Sequence, residues 1–413
     1  MDCCSQPGLM PIKQARSLLS DSASLKTQIQ TVSLEDALGR VLAEDIVSPI
    51  NIPPFDNSAM DGYAICAEQL PNNKTLPLSH KVFAGDTQQL ALEPGHCVRI
   101  MTGAPLPPGC DAVEMQENTE INVDDEQQII FKQPINKGKN VRLKGEDVKQ
   151  GQVVIPAKTR LNSSHIGLLA TLGINEISVQ SLLKVALFSS GDELIQPGNP
   201  LKHGQIYDSN RFAIRALLAK LPVEVIDLGV IADDKQLVTE AFIKADQVAD
   251  IVICSGGVSV GEADYTKMVL DEIGDINFWK LAIKPGKPFA YGNLPNSYFI
   301  GLPGNPVSAY VTFYKLAMLV IAKACGWDYK EPLAIPAKSL QDFKKSPGRT
   351  DYQRGFASIS ASGQLEVKST GAQGSAIFTS LTEANCFVVL EQDRGRVSAG
   401  EMVTIEMFAE PIL

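Results

Sequence analysis

Residues 251–264 read IVICSGGVSVGEAD, in which an apolar run is followed by a loop with three glycines. A short apolar run that ends at glycine is typical of a buried strand in a parallel sheet. The glycines allow backbone N–H groups to approach an anion where a following helix begins. The stretch therefore predicts a strand, a phosphate-binding loop and a helix. The loop matches neither the Walker pattern nor the dinucleotide fingerprint, so its spacing alone is weak evidence for a ligand.

The order of strand, turn and helix repeats on both sides of this stretch. Apolar runs at 185–188, 223–228 and 298–302 predict three more strands. Helical patterns occur at 212–221 and 307–323. Alternating strands and helices are typical of a parallel sheet covered by helices, so we predict a parallel α/β domain.

The segments around this domain, which we place at residues 183–330, are rich in short strands. In residues 49–151, short apolar runs are interrupted by proline and glycine, which predicts a strand-rich domain. Residues 331–413 contain alternating segments separated by glycines, which predict a small β-barrel or sandwich. The predicted fold class is therefore multidomain, α/β plus β.

Two helical segments flank the strand-rich domain. The sequence Ser33-Leu34-Glu35-Asp36 matches a capping box, and the apolar residues after it keep helical spacing. Asn162 or Ser163 can cap a second apolar stretch. We predict that both helices belong to one discontinuous linking domain, residues 1–48 plus 152–182.

Length and composition limit the class of protein. A chain of 413 residues exceeds one ordinary core, so we expect three or four domains. The formal net charge of −10 argues against general nucleic-acid binding, which needs a basic surface. We find no signal region and no apolar run near the roughly 18 residues of a membrane helix, so we expect a cytoplasmic protein. No cysteine spacing matches a CxxC or zinc pattern, and we expect reduced, structural thiols at Cys3, Cys4, Cys66, Cys97, Cys110, Cys254, Cys325 and Cys386.

Polar loops follow each of the four predicted strands. The loops at 189–193 and 229–234 carry carboxylates, and residues 303–306 form a rigid Pro-Gly-Asn-Pro turn before a helix. Ligands of open parallel sheets bind beyond the carboxyl ends of the strands, so we expect these loops to converge on one polar site. Each loop taken alone is equally typical of a solvated turn that needs Gly, Asp or Asn for its geometry.

A lysine-rich segment lies between the third and fourth predicted strands. Residues 280–288 read KLAIKPGKP, with Lys280, Lys284 and Lys287 beside two prolines. Prolines stiffen a loop and could hold the lysines toward phosphates or an oxyanion. The alternative is a solvated basic face.

The carboxylates at the strand ends provide only oxygen ligands. Glu193, Asp233 and Asp264 are therefore candidate ligands for Mg²⁺ that bridges to substrate phosphates, rather than for zinc. Acidic surface loops are common, so each carboxylate alone is more typical of a structural position. The histidines show no metal-ligand spacing, and we assign no role to His80, His96, His165 or His203.

Two blocks resemble a known family. Residues 256–261, with Asp264 and Tyr265, resemble the signature loop of molybdopterin-binding domains. That loop is shared by single-domain molybdopterin adenylyltransferases and by the molybdopterin molybdenumtransferases, the MoeA and gephyrin E-domain family. Residues 53–64, PPFDNSAMDGYA, are similar to the hallmark of the second group and lie outside the shared domain. The resemblance continues over nearly the whole chain, through 99–105, 142–147, 190–194, 284–288 and 303–306.

The resemblance implies an enzyme that inserts molybdate into adenylylated molybdopterin and releases AMP, with Mg²⁺ at the pyrophosphate. It implies an elongated homodimer, whose cleft combines the α/β domain of one subunit with the strand-rich domain of the other. On the matching positions the catalytic candidates are Asp61, Thr102, Asp147, Glu193, Asp233 and Asp264, of which the last three are also the metal candidates. The substrate-binding candidates are Ser255, Gly256, Gly257, Ser259, Gly261, Lys280, Lys284, Lys287, Pro303, Gly304, Pro306, Arg354 and Ser375. Of these, Lys287 is not marked by the resemblance and rests on its charge and its proximity to Lys284 alone.

Departures from the family pattern are slight, and two other functions stay open. Ser190 stands where Thr is expected and Cys254 where Ser is usual, but neither change removes a proposed ligand. The alternatives are adenylylation of molybdopterin itself and a non-enzymatic scaffold of the gephyrin type. The hallmark block and the extra domains argue against the first, and the lack of a long linker or fused domain argues against the second. A contact with the adenylyltransferase that supplies the substrate is a further expectation, and molybdate and tungstate fit equally well.

Overall fold

The computed structural model describes residues 8–70, 74–87, 90–257 and 265–408. It divides into two compact units. The first consists of Met1–Glu44, Lys158–Ile166 and Glu176–Leu413, and the second of Asp45–Ala157 and Gly167–Asn175. The predicted site residues Ser259, Gly261 and Asp264 lie outside the described residues, as do Cys3 and Cys4.

Helices and strands are numbered in chain order. The helices are α1 (Ile12–Ser22), α2 (Ser163–Thr171), α3 (Ser209–Leu218), α4 (Lys235–Val248), α5 (Tyr265–Ile273), α6 (Pro306–Thr312), α7 (Met318–Ala324) and α8 (Thr379–Thr382). Strand β1 is Ile29–Ser33, and the strands of the second unit are β2 (Ile46–Val47), β3 (Asn57–Ser58), β4 (Gly62–Ile65), β5 (Thr75–Val82), β6 (Cys97–Ile100), β7 (Ala112–Met115), β8 (Thr119–Ile121), β9 (Gln128–Phe131), β10 (Val141–Arg142) and β11 (Val153–Ile155). The remaining strands are β12 (Glu176–Gln180), β13 (Leu183–Ser190), β14 (Leu194–Ile195), β15 (Ile206–Tyr207), β16 (Val223–Ile231), β17 (Ile251–Ser255), β18 (Asp275–Lys280), β19 (Ile283–Lys284), β20 (Pro288–Asn293), β21 (Tyr298–Leu302), β22 (Ala334–Ser339), β23 (Thr350–Ile359), β24 (Leu365–Ser369), β25 (Cys386–Leu390) and β26 (Met402–Met407).

A six-stranded sheet forms the centre of the α/β region. Its strand order is β16-β13-β17-β21-β20-β18, and the first four strands are parallel. These are the four predicted strands, so the parallel α/β fold is confirmed. The strand β17 is buried at every position, as expected for a strand covered on both faces. Strands β18 and β20, which pair antiparallel at one edge, were not predicted.

The predicted helix after β21 is continuous over Pro306–Ala324. Helices α6 and α7 are joined by a π-helical segment, Phe313–Ala317. Contrary to our expectation, this helix is long and apolar enough, by length and composition alone, to cross a membrane. However, 78% of the 18-residue apolar stretch of this helix is buried inside the protein. Val311, Leu316 and Val320 of the helix belong to the main hydrophobic core. A buried core helix passes the same test, so this finding is weak evidence for a membrane span.

The C-terminal strands form a closed barrel. Its order is β23-β24-β22-β26-β25, and β25 pairs again with β23. Closure removes the exposed sheet edges. The sequence predicts either a small barrel or a sandwich for this region, and the structure forms the barrel. The short strand β19 joins the outside of β23, where Lys284 lies opposite Asp351.

The second unit is strand-rich, as predicted. Its largest sheet has the order β7-β4-β6-β5-β9-β8. In the hallmark block, a Cβ on Gly62 would lie 1.8 Å from the backbone oxygen of Glu114 on the neighbouring strand. Glycine is therefore required there because the two backbones approach too closely for a side chain.

The capping-box sequence does not begin the α-helix that we predicted. Ser33 Oγ does accept a hydrogen bond from the Asp36 backbone N–H at 3.3 Å, but only a 3₁₀ turn, Leu34–Asp36, results. Gly39 adopts a positive φ of 77°, and Val41 then forms a β-bridge to Arg160. Long-range bridges therefore override the local helical spacing. The second predicted cap is confirmed, because Asn162 Oδ1 accepts the His165 N–H near the start of α2.

Candidate active site

A cavity of about 940 Å³ lies beyond the carboxyl ends of the parallel strands. Loops after β13, β17 and β21 line it, together with loops of the C-terminal barrel. Ten predicted site residues line this cavity: Glu193, Asp233, Ser255, Gly256, Gly257, Lys284, Lys287, Pro303, Gly304 and Ser375. All of them belong to the first unit. The fold therefore brings loops that are far apart in sequence to one polar cavity.

The described part of the glycine loop leaves no space for side chains. Gly256 and Gly257 have positive φ angles of 98° and 64°. A Cβ on Gly257 would lie 2.2 Å from Thr266 Oγ1, and one on Gly256 would lie 2.7 Å from the backbone oxygen of Ser190. The glycines are therefore required both for backbone conformation and for close packing. Their backbone forms one wall of the cavity.

Carboxylates cluster at the acidic end of the cavity. The Asp233 backbone N–H donates to Asp192 Oδ1 at 3.0 Å, which holds the two acidic loops together. Burial raises the pKa of the Asp233 carboxyl above its ordinary value, and the neighbouring charges of Asp192 and Glu193 raise it further. Like charges held at close range favour the binding of a cation between them.

This donor set is compatible with Mg²⁺ that is shared with a substrate. Among residues 8–70, 74–87, 90–257 and 265–408, no group of three or more His, Cys, Asp or Glu side chains is arranged to hold a metal ion. Mg²⁺, however, is commonly bound by one or two carboxylates plus substrate phosphates and water. Glu193 and Asp233 fit that pattern, and the third predicted ligand, Asp264, is not among the described residues.

Cations line another part of the cavity. Lys284, Lys287 and Arg349 all contribute to it, and the same three side chains also line an adjoining pocket of about 510 Å³ with Lys344 and Lys345. The adjoining pocket continues the basic surface away from the cavity. A surface lined by these five cations attracts anions.

One carboxylate is buried behind this basic surface. Lys284 Nζ lies 3.3 Å from Asp351 Oδ2, and Gln353 Nε2 donates to the same oxygen at 3.1 Å. The Asp351 side chain is 4% exposed, whereas that of Lys284 is 47% exposed. Lys284 is thus held by a buried carboxylate but remains accessible to solvent.

Arg354 is buried beneath the cavity rather than at its surface. Its exposure is 0%, and burial lowers the pKa of its guanidinium to about 10. Its Nη2 donates to the Gly374 carbonyl at 3.1 Å, and its Nε donates to Ser380 Oγ at 2.9 Å. Ser375, directly after Gly374, lines the cavity, and its carbonyl accepts the Val307 N–H at 3.0 Å. Arg354 therefore supports the loop that carries Ser375.

The other predicted residues lie elsewhere. Lys280 ends β18 and Pro306 begins α6, and neither lines the cavity. Asp61, Thr102 and Asp147 belong to the second unit. There, Asp61 Oδ1 accepts the Thr102 backbone N–H at 2.7 Å and the Thr102 hydroxyl at 2.8 Å. These hydrogen bonds lower the pKa of Asp61, which is therefore held in its charged form.

Several residues at the cavity were missed from sequence, among them three with polar side chains. Asn210, Ser308 and Arg349 all line it. Arg349 ends the run KKSPGR at 344–349, whose three cations could have attracted notice. Asn210 lies in Asp208-Ser209-Asn210, a typical helix start, whereas we placed the beginning of this helix at Phe212. Ser308 lies inside α6 and carries no local signal.

The comparisons with known proteins cover almost the whole chain. Residues 10–173 match the MoeA N-terminal region (domain I and II), residues 186–323 match the "Probable molybdopterin binding domain", and residues 336–408 match the MoeA C-terminal region (domain IV). A molybdopterin molybdenumtransferase of Haemophilus influenzae is 51% identical over 401 residues, which is 97% of this chain and 99% of that protein. One from Nostoc is 35% identical over 91% of this chain and 88% of its own length.

A solved structure agrees with these matches. The molybdopterin biosynthesis moeA protein of Pyrococcus horikoshii superimposes with a TM-score of 0.82 at 30% sequence identity, over 97% of this chain and 100% of that one. Three consecutive matched regions, a relative of equal extent with half its residues identical, and a shared fold all indicate the same family. From these findings together, the chain belongs to the MoeA family of molybdopterin molybdenumtransferases.

Proposed function

We propose that this chain inserts molybdate into adenylylated molybdopterin and releases AMP, which yields molybdenum cofactor. The observation that carries this proposal is a single cavity that combines an acidic end, a glycine wall and a basic surface. Such a cavity suits a large substrate with a pyrophosphate and a separate small oxyanion. The names of the curated relatives are consistent with the same reaction.

The glycine wall and the turn at Pro303 and Gly304 are suited to the phosphates of the substrate. Backbone N–H groups of such loops bind phosphate oxygens without a side chain in between. Lys284, Lys287 and Arg349 are suited to an oxyanion, because lysine and arginine donate charge-assisted hydrogen bonds. The two groups of donors would hold molybdate and molybdopterin in one cavity, which lowers the entropic barrier to their reaction.

The reaction forms two metal–sulfur bonds and breaks one phosphoanhydride bond. Two dithiolene thiols displace one molybdate oxygen, which leaves as water with the two thiol protons. A second water hydrolyses the anhydride and releases AMP. Lys284 and Arg349 would neutralise the oxyanion while the thiols approach it, since fixed charges stabilise developing charge best in a preorganised site.

Mg²⁺ is a further part of the proposal. Glu193 and Asp233 would hold it, and the ion would neutralise the pyrophosphate and favour departure of AMP. The raised pKa of Asp233 supports this assignment, because a cation would relieve the repulsion from Asp192 and Glu193.

We also propose that a second copy of the chain completes the site. By family resemblance, Asp61, Thr102 and Asp147 act in the cleft of a homodimer, in the cytoplasm, where the adenylyltransferase can deliver the substrate. Complementation tests this assignment. In a mixture of Asp61→Ala and Glu193→Ala chains, exchange should restore about a quarter of wild-type turnover, because half of the dimers are mixed and each has one intact site. No recovery in mixed dimers that have been shown to form would contradict the shared site.

The basic test of function is turnover. Purified protein, adenylylated molybdopterin, molybdate and Mg²⁺ should release AMP, and the pterin product should activate a molybdenum-free acceptor enzyme. A parallel reaction with molybdopterin and ATP distinguishes the adenylyltransferase alternative. Accumulation of adenylylated molybdopterin there, without AMP release in the first reaction, would overturn the proposal.

A further inference from the structure

Asn210 links two of the loops that form the cavity. It is the second residue of α3, and its Nδ2 donates to Ser255 Oγ at 2.9 Å and to the Gly304 carbonyl at 2.7 Å. Because a carbonyl can only accept, the amide nitrogen must face Gly304, and this fixes the orientation of the amide. One side chain therefore connects the end of β17 to the turn after β21.

The helix that carries Asn210 is rigidly held at its start. Asp208 caps α3 and accepts hydrogen bonds from the Arg211 N–H at 3.2 Å and from the Ser189 hydroxyl at 3.2 Å. Arg211 in turn donates from Nε to Asp208 at 2.9 Å and from Nη1 to Asp227 at 2.6 Å. This network holds the backbone on either side of Asn210, which gives its amide a fixed base for the two hydrogen bonds.

The hydrogen bond from Asn210 leaves the Ser255 hydroxyl free to act as a hydrogen-bond donor. Ser255 Oγ accepts the amide N–H, and its own hydroxyl proton has no acceptor among the residues that the structure describes. Ser255 is 1% exposed and lines the cavity. Its proton is therefore available for a bound anion, at a position where bulk water competes little.

The other end of the Asn210 amide is left unsatisfied. Its Oδ1 is buried and has no hydrogen-bond partner among the described residues. A buried acceptor without a partner destabilises the folded state. The unpaired oxygen therefore offsets part of the stability that the two donated hydrogen bonds provide.

We propose that Asn210 is a positioning residue: it aims the Ser255 hydroxyl at a phosphate of the bound pterin and fixes the Gly304 turn beside it. The inference rests on the proposed function for the identity of the ligand. Phosphate occurs on molybdopterin and on AMP, and both can be titrated separately.

The experiment is calorimetric titration of the full-length protein with molybdopterin and, separately, with AMP near neutral pH, together with thermal melts and steady-state kinetics. Asn210→Ala should bind the phosphate-bearing ligand about tenfold to hundredfold more weakly, the range of a lost charge-assisted hydrogen bond. KM should rise more than kcat falls, because the contact exists before reaction. Weakening toward molybdopterin alone places the contact on the pterin phosphate, and weakening toward AMP alone would overturn that assignment.

The variant Asn210→Asp tests whether binding depends on the hydrogen bonds that the amide donates or only on the size of the side chain. The carboxylate has the same size but cannot donate to Gly304, and it would draw the Ser255 proton away from the ligand. Its loss of affinity should equal or exceed that of the alanine variant. Affinity like that of the wild type in Asn210→Asp would overturn the proposal. The matched control is Asn199→Ala, an exposed asparagine with one side-chain hydrogen bond outside the cavity lining, which should change nothing.

A double-mutant cycle tests whether Asn210 acts through Ser255. Asn210→Ala should weaken binding much less in the Ser255→Ala background than in the wild type, because no hydroxyl is left to aim and only the hydrogen bond to the Gly304 turn is lost. Fully additive losses would overturn the coupling. Failure of the proposed function is distinguishable, since wild-type protein would then bind the ligand and not turn over the adenylylated substrate.

Discussion

Replacement of the buried Asp351 by Asn should tighten the binding of anions at the cavity. Asp351 lies behind Lys284, with its Oδ2 3.3 Å from the lysine Nζ. An oxyanion bound on the exposed side of that Nζ would lie about 6 Å from the carboxylate, given a hydrogen bond of about 2.8 Å. The carboxylate therefore repels every anion that the lysine attracts. We infer that it limits affinity and so permits release of an anionic product.

The magnitude follows from Coulomb's law. The Asp351 carboxylate and a doubly charged molybdate ion about 6 Å apart repel by about 1.4 kcal/mol in water and about 5.5 kcal/mol at an effective dielectric constant of about 20. Lys284 is 47% exposed, so solvent screening favours the lower part of that range. We expect Asp351→Asn to bind molybdate about ten times more tightly than the wild type, because about 1.4 kcal/mol is a factor of ten in affinity. The doubly charged sulfate ion should respond in the same direction.

The assay is calorimetric titration with molybdate and with sulfate, at low and at high salt. The gain should shrink at high salt, because salt screens charges near the surface. The matched control is Asp328→Asn, which removes an exposed ion pair with Lys330 and should leave anion affinity unchanged. Unchanged or weaker anion binding by Asp351→Asn, with a native-like melt, would refute the reasoning, since it would mean that the carboxylate serves only to hold Lys284 in place.

Three other substitutions or conditions probe the same cavity. Lys284→Ala should lower the melting temperature modestly, because the buried Asp351 loses its ion-pair partner, and should bind molybdopterin or its adenylylated form about tenfold to hundredfold more weakly; unchanged affinity in calorimetry would make this loop a solvated face. Mg²⁺ or Mn²⁺ affinity should fall as the pH falls, from a higher pH than for an ordinary aspartate, because the raised pKa of Asp233 lets protons compete earlier; a flat pH profile would exclude Asp233 as a ligand. Gly257→Ala should impair ligand binding and lower the melting temperature, since its Cβ would meet Thr266 Oγ1 at 2.2 Å; a wild-type melt and affinity would show that the loop can rearrange.

The parallel strands were predictable because burial on both faces requires continuous apolar runs. Strand β21, for example, was predicted at its observed limits, Tyr298–Leu302. The antiparallel edge strands were missed because they lack such runs. Strand β18 reads DINFWK and pairs with β20, which begins at Pro288 and contains Gly292. Proline and glycine lower the local preference for a strand. These segments are therefore strands only because they pair with the rest of the sheet.

Convergence of the acidic and glycine-rich loops was also predictable, because parallel strands bring their carboxyl ends to one edge. The contribution of the C-terminal barrel was not. Arg349 directly precedes β23, and it reaches the cavity region because Lys284 on β19 pairs with Asp351 on β23. That pairing joins residues 67 positions apart, and no local pattern encodes it. Residues supplied by such a contact can be named only after the two domains are placed together.

Family resemblance identifies important positions without saying how they act. Arg354 was predicted to bind substrate, yet its guanidinium is fully buried and holds the Gly374 carbonyl and the Ser380 hydroxyl. Loss of this arginine would release the loop that carries Ser375 and leave buried polar groups without partners, which destabilises more than loss of a surface contact. Arg354→Ala should therefore lower the melting temperature together with turnover, whereas loss of a direct ligand such as Lys284 should weaken binding far more than it lowers the melting temperature. A wild-type melt of Arg354→Ala with weakened substrate binding would instead place the arginine in contact with substrate. The distinction between a residue that touches substrate and one that positions its neighbour is thus a matter of burial and hydrogen bonding, which the sequence does not contain.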